Sequence, residues 1–84
     1  MEQFETGMMA RSKSGHDAGK VYVITKVEEA YVYLVDGKVR TLDKPKKKKK
    51  KHVQLIKEGF DIQGATDVDI KRWIKIWNKE DNQN

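Results

Sequence analysis

The sequence contains no cysteine, which removes disulfide frameworks, thiolate zinc sites and cysteine nucleophiles together. No stretch approaches the ~20 consecutive apolar residues of a membrane span. The opening residues, Met1 to Glu5, are acidic and lack the basic and apolar regions of a signal peptide. No myristoylation or prenylation signal accompanies the basic residues either. The expectation is a soluble intracellular protein, in the cytoplasm. Histidine is scarce: His16 and His52 lie far apart, and a metal site would need Asp17 or Asp43 to converge with both. No serine or carboxylate pair stands in a recognisable nucleophile arrangement. No metal, no cofactor and no enzymatic activity are therefore expected.

What is present is positive charge, and it is unevenly placed. The 84 residues have room for one domain, which buries only ~60% of its unfolded surface. Residues 1–29 carry four basic and five acidic groups, and residues 60–84 carry the same numbers. Residues 30–59 carry ten basic and three acidic groups, so the whole surplus of the +5 net charge sits in the middle third. A localised positive field attracts a polyanion.

Hydrophobic periodicity divides the chain into short strands and one helix. Residues 1–6 read as a flexible end, and Met8 to Arg11 as a short extended segment. Ser12 to Gly19, small and polar, reads as a loop. Lys20 to Val27 and Ala30 to Val35 are rich in β-branched and aromatic residues, as strands are. Val21, Val23 and Val27 share one phase of the alternation, and Tyr31 and Tyr33 lie opposite Val32 and Leu34. Asp36-Gly37 is a hairpin signal, followed by an alternating strand over Lys38 to Leu42. Lys44-Pro45 and the run Lys46 to Lys51 read as a solvated loop over 44–51, since six adjacent cations repel and proline lacks the N–H of a central strand. His52 to Ile56 returns to strand character and would close a barrel. Thr66 caps a helix over about 67–79, with Ile70, Trp73, Ile74 and Trp77 on one apolar stripe. The two tryptophans are expected in the core. Residues 80–84 read as a flexible tail. The pattern predicts a mainly β single domain over residues 7–79: a small barrel of about five strands with a C-terminal helix.

The loop Gly15-His16-Asp17-Ala18-Gly19-Lys20 and the strand Val21-Tyr22-Val23-Ile24 resemble the KOW motif. Val35-Asp36-Gly37-Lys38 and Lys44-Pro45-Lys46 through His52-Val53 are similar to a bacterial group of short KOW-domain proteins, themselves similar to archaeal and eukaryotic large-subunit ribosomal proteins. The resemblance covers about fifty residues and leaves out the helix. It implies an SH3-like barrel that binds RNA without catalysis, with large-subunit ribosomal RNA as the partner and ribosomal proteins as further neighbours. The chain would be a monomer when free and ribosome-associated in the cytoplasm.

The candidate RNA-binding residues are Arg11, Lys13, Ser14, His16, Gly19 and Lys20 in and beside the loop. Lys38 and Arg40 follow the Asp-Gly turn, and Lys44, Lys46, Lys47, Lys48, Lys49, Lys50, Lys51 and His52 lie in the basic run. Seven lysines in residues 44–51 repel one another unless displaced counterions and phosphate relieve them. Such a run supplies affinity and no base readout. Gly15-xxx-Gly19-Lys20 is not a phosphate-binding P-loop, which needs four intervening residues and a following Ser or Thr. The tyrosines could stack on unpaired bases, or could simply pack. The competing assignment is a protein-interaction module of the SH3/Tudor kind, with the lysine run as a solubilising or targeting segment. Deletion of Lys46 to Lys51 would abolish association in the first case and spare it in the second.

Overall fold

Strands form where the β-branched and aromatic residues cluster, and a reciprocal cap starts the helix. The computed structural model describes residues 3–81. Five strands, β1 (Met8–Ser12), β2 (Val21–Val27), β3 (Tyr31–Val35), β4 (Lys46–Lys49) and β5 (Val53–Gly59), precede α1 (Asp67–Asp81). The sheet is antiparallel throughout, in the order β4-β3-β2-β1-β5. It is open: β4 and β5 are its two edges, joined in sequence by the 3₁₀ turn Lys50–His52. Among the described residues no helix is long and apolar enough to cross a membrane.

Because β1, β2 and β3 lie inside the sheet, both their faces bury side chains. Ala10, Tyr22, Ile24, Val32, Leu34, Val53 and Leu55 form one cluster, with Phe4 and Val27 packed against it. Met9, Val21, Val23 and Val35 form the other, which Ile70 and Ile74 of α1 cover. Each fully buried Ile or Leu contributes ~1.5–3 kcal/mol. At the helix start the Asp69 N–H donates to Thr66 Oγ1 at 3.2 Å, and the Thr66 N–H donates to the Asp69 carboxylate at 3.0 Å. Two otherwise orphaned donors are thereby satisfied, as in a capping box. Trp73 and Trp77 pack against the helix-side cluster as expected, Trp73 stacked on Phe60 with ring centroids 4.6 Å apart. The expected tail falls partly at residues 82–84, outside the described residues, as do residues 1–2 of the expected flexible N-terminus.

Three sequence expectations are corrected. Val27 does not share a face with Val21 and Val23. The β2–β3 register shifts between Ile24 and Lys26, and this bulge turns Val27 onto the side of Ile24. Residues 38–42 are not a strand. The Asp36 carboxylate accepts the N–H groups of Lys38, Val39 and Arg40 at 2.8–3.0 Å, so local side-chain bonding replaces a ladder. Most consequentially, the lysine run is not a solvated loop over its whole length. Lys46–Lys49 is an edge strand paired with β3.

Gly37 shows how closely the 36–40 loop approaches α1. Its φ is +77°, and a Cβ there would run into the Asp67 carbonyl and lie 2.9 Å from the Lys71 nitrogen. Gly37→Ala is expected to cost about 2 kcal/mol or more, combining a left-handed backbone penalty with displacement of the helix. Thermal unfolding should then show a Tm lower by roughly 10 °C. An unchanged Tm would mean that loop and helix are not held at this separation.

Candidate nucleic-acid interface

Period-two alternation splits the lysines of β4 into two populations with different chemistry. Lys46 and Lys48 stand opposite Leu34 and Val32, on the inward side. Lys47 and Lys49 stand opposite Tyr33 and Tyr31, on the outward side.

The inward pair shares one counter-charge, Asp17. This carboxylate is 7% exposed, and it accepts from the Ser12 hydroxyl at 2.9 Å, the Tyr22 hydroxyl at 3.0 Å and the Lys48 ammonium at 3.2 Å. Lys46 Nζ lies 3.2 Å from its second oxygen. Lys48 also donates to the Ser14 carbonyl at 2.9 Å. Burial alone would raise the Asp17 pKa, but the donors Ser12, Lys48, Tyr22 and Lys46 outweigh it and hold the carboxyl well below the usual range. Tyr22 is shifted the other way, by burial and then by its bond to the Asp17 anion. Asp17 thus pins the 13–20 loop to β4, and the Lys48 side chain, 11% exposed, is structural.

The outward pair is differently held. Lys47 Nζ sits 4.4 Å from the Tyr31 ring centroid and 5.9 Å from that of Tyr33. On the other side of Tyr33, Lys26 lies 5.2 Å from the same ring. Glu28 is the one carboxylate in this group: it accepts from the Tyr33 hydroxyl at 3.3 Å and lies 3.8 Å from Lys47 and 3.6 Å from Lys26. Exposed ion pairs contribute ~0–1 kcal/mol and exposed cation–π contacts ~0.5–1 kcal/mol. Lys47 can therefore turn to an arriving phosphate at little cost, whereas withdrawing Lys48 from a buried carboxylate would cost ~3–5 kcal/mol. Lysines on an edge strand also discourage pairing with another sheet, and that role requires no ligand.

The remaining candidates are distributed around this edge. Lys49 and Lys51 are exposed, while Lys50 is half-buried, lies 5.7 Å from the Phe4 ring and donates its N–H to the Ala30 carbonyl. The Lys13 N–H donates to the His52 carbonyl, so loop and 3₁₀ turn are adjacent. Gly19, at φ +91°, donates to the Ser12 carbonyl and closes the loop that exposes His16 and Lys20. Lys44 is exposed beyond Pro45, and Lys38 and Arg40 belong to the Asp36 loop near α1. Arg11 is set apart, its guanidinium 5.5 Å from the Trp77 ring. Among the described residues no three His, Asp or Glu side chains are grouped as a metal site would require. The sequence pointed to Asp17 as a loop residue and as a carboxylate a metal site would need, not as the partner of the lysine run. The available signal was that Lys46 and Lys48 share a parity.

Compared with models of protein families and with curated proteins, the chain finds no match. The KOW resemblance stands on its own residues.

Proposed function

We propose that this protein is a non-catalytic RNA-binding protein that lays the outward face of β3 and β4 against structured RNA, with large-subunit ribosomal RNA as the partner in the cytoplasm. The observation that carries it is the Lys26–Tyr33–Lys47 row beside Tyr31 and Lys49: loosely held cations interleaved with rings at the β3–β4 end of the sheet, on the face whose Val23 and Val35 α1 covers. Ammonium groups on phosphates supply affinity, and rings offer stacking to unpaired bases. The antiparallel order β4-β3-β2-β1-β5 and the core cluster gathered from β1, β2, β3 and β5 are what support an SH3-like barrel, and the glycine loop and basic run support KOW membership.

Binding of a structured ribosomal RNA fragment, followed at several salt concentrations, should show log K falling by ~0.7–0.9 per phosphate contact per log unit of salt. In a gradient at low salt the chain should travel with large subunits and leave them at high salt. Equal affinity for RNA and a neutral polymer at low salt would defeat the proposal. The competing protein-interaction module is favoured by a different surface, where Ile76 is 49% exposed beside the Phe60–Trp73 stack. It predicts association that is indifferent to salt.

A further inference from the structure

One cleft in the described structure lies away from β4, between the 13–20 loop, the 36–40 loop and α1. Its volume is about 730 Å³, within the 300–1,000 Å³ of small-molecule sites. Four ammonium groups line it: Lys20, Lys38, Lys71 and Lys75. Among the described residues none of the four forms an ion pair. The one carboxylate in the wall, Asp36, already accepts three backbone N–H groups through one oxygen. Lys71 and Lys75 are spaced i, i+4 on α1, where like charges oppose the helix by ~0.2–0.5 kcal/mol unless an anion intervenes. The floor is apolar: Val21 and Ile74 are nearly buried, and Val39 stands at the rim 71% exposed.

An apolar wall beside four lysines that form no ion pair among the described residues matches a ligand with one anionic end and one flat, weakly polar end. The cleft also adjoins a smaller one of about 190 Å³. The two share Lys20, Asp36 and Val39, and the smaller reaches His16, Arg40 and Lys46. A basic track thus runs from β4 to the helix.

We propose that this cleft holds one nucleotide of a bound RNA strand, its phosphate among Lys20, Lys38, Lys71 and Lys75 and its base or ribose against Val39 and Ile74. This inference rests on the RNA-binding reading above and extends its footprint to α1, which the KOW resemblance does not cover.

The test uses the whole chain, wild type and Lys71→Gln/Lys75→Gln, both exposed helix positions where glutamine keeps helix propensity. Amide NMR shifts are followed with uridine 5′-monophosphate, uridine and inorganic phosphate in separate arms, and a uridine decamer is titrated at several salt concentrations. The monophosphate should shift the amides of Gly19, Val39, Lys71 and Lys75, more than uridine or phosphate alone. The double variant should lose those shifts, keep those around Lys47, and bind the decamer with a salt slope smaller by about one to two. Phosphate alone reproducing the full pattern would reduce the cleft to an anion trap and overturn the nucleotide assignment. A double variant that binds the decamer with the wild-type slope would overturn the cleft while the β3–β4 face survives. A wild type indifferent to the decamer alone would overturn the cleft, and one indifferent at low salt to the structured ribosomal RNA fragment as well would overturn both.

Discussion

Lys47→Glu/Lys49→Glu is expected to weaken binding to structured RNA by on the order of 100-fold at low salt, and to flatten its salt dependence by about two slope units. Both side chains project from the outward side of an edge strand and touch no buried partner. Their reversal removes two phosphate contacts and sets two carboxylates against the polyanion, with little effect on folding. The matched control is Lys57→Glu/Lys79→Glu, which changes net charge equally at exposed positions on β5 and α1. If attraction were merely a matter of total charge, the two variants would fall together. Filter binding or fluorescence anisotropy decides it, and equal losses would remove β4 from the interface. Deletion of residues 46–51, suggested by the sequence, is a poor experiment in light of the fold. It would excise an edge strand together with both cations that face Asp17.

Asp17→Asn should be the most destabilising change at this site, by about 3 kcal/mol, a large part of the 5–15 kcal/mol that holds a small domain together. Asparagine keeps the shape and one acceptor but leaves the Lys48 and Lys46 ammonium groups without a counter-charge in a nearly buried position. The same carboxylate sets an acid dependence. Its folded-state pKa is depressed well below the ordinary aspartate value, so its stabilising contribution is complete above pH ~4 and is lost as pH falls through the folded value. Denaturant unfolding from pH 7 down to pH 2 should show wild type losing stability below pH ~4, while Asp17→Asn starts lower and varies less there. Asp17→Asn/Lys48→Met should recover part of the loss, because the more deeply buried of the two cations is removed with the carboxylate, while Lys46, 26% exposed, can turn to water. If the single variant unfolds like wild type at pH 7, the buried ion cluster does not hold the loop to β4.

Much of this architecture was legible in the chain. β2 and β3 follow from their valines, isoleucine and tyrosines, and α1 from Thr66, Asp69 and the Ile70–Trp77 stripe. What escaped was decided by contacts remote in sequence. Six adjacent lysines have neither the propensity nor the mutual tolerance for a strand, yet Lys46–Lys49 pair with β3, because Asp17 offsets part of the charge on one side and the tyrosines shelter Lys47 on the other. Alternation put Val27 with Val21, and a bulge near Thr25 reversed it. The basic residues of the site were visible as types, but not their division into buried and available ones. Nothing in the sequence singled out Lys71 and Lys75 as neighbours of the 36–40 loop, which only the packing of α1 brings beside them.

A strand made of one repeated side chain has an unusual relation to its own alignment. In an ordinary half-buried strand a slip of one position swaps the inward set for the outward set and ruins both faces. Along Lys46–Lys49 such a slip presents the same chemical groups to Asp17 and to the tyrosines as before. The tract can therefore gain or lose a lysine with its pattern intact, and its alignment is fixed at the ends, by Pro45 ahead of it and by the Lys50 N–H on the Ala30 carbonyl behind.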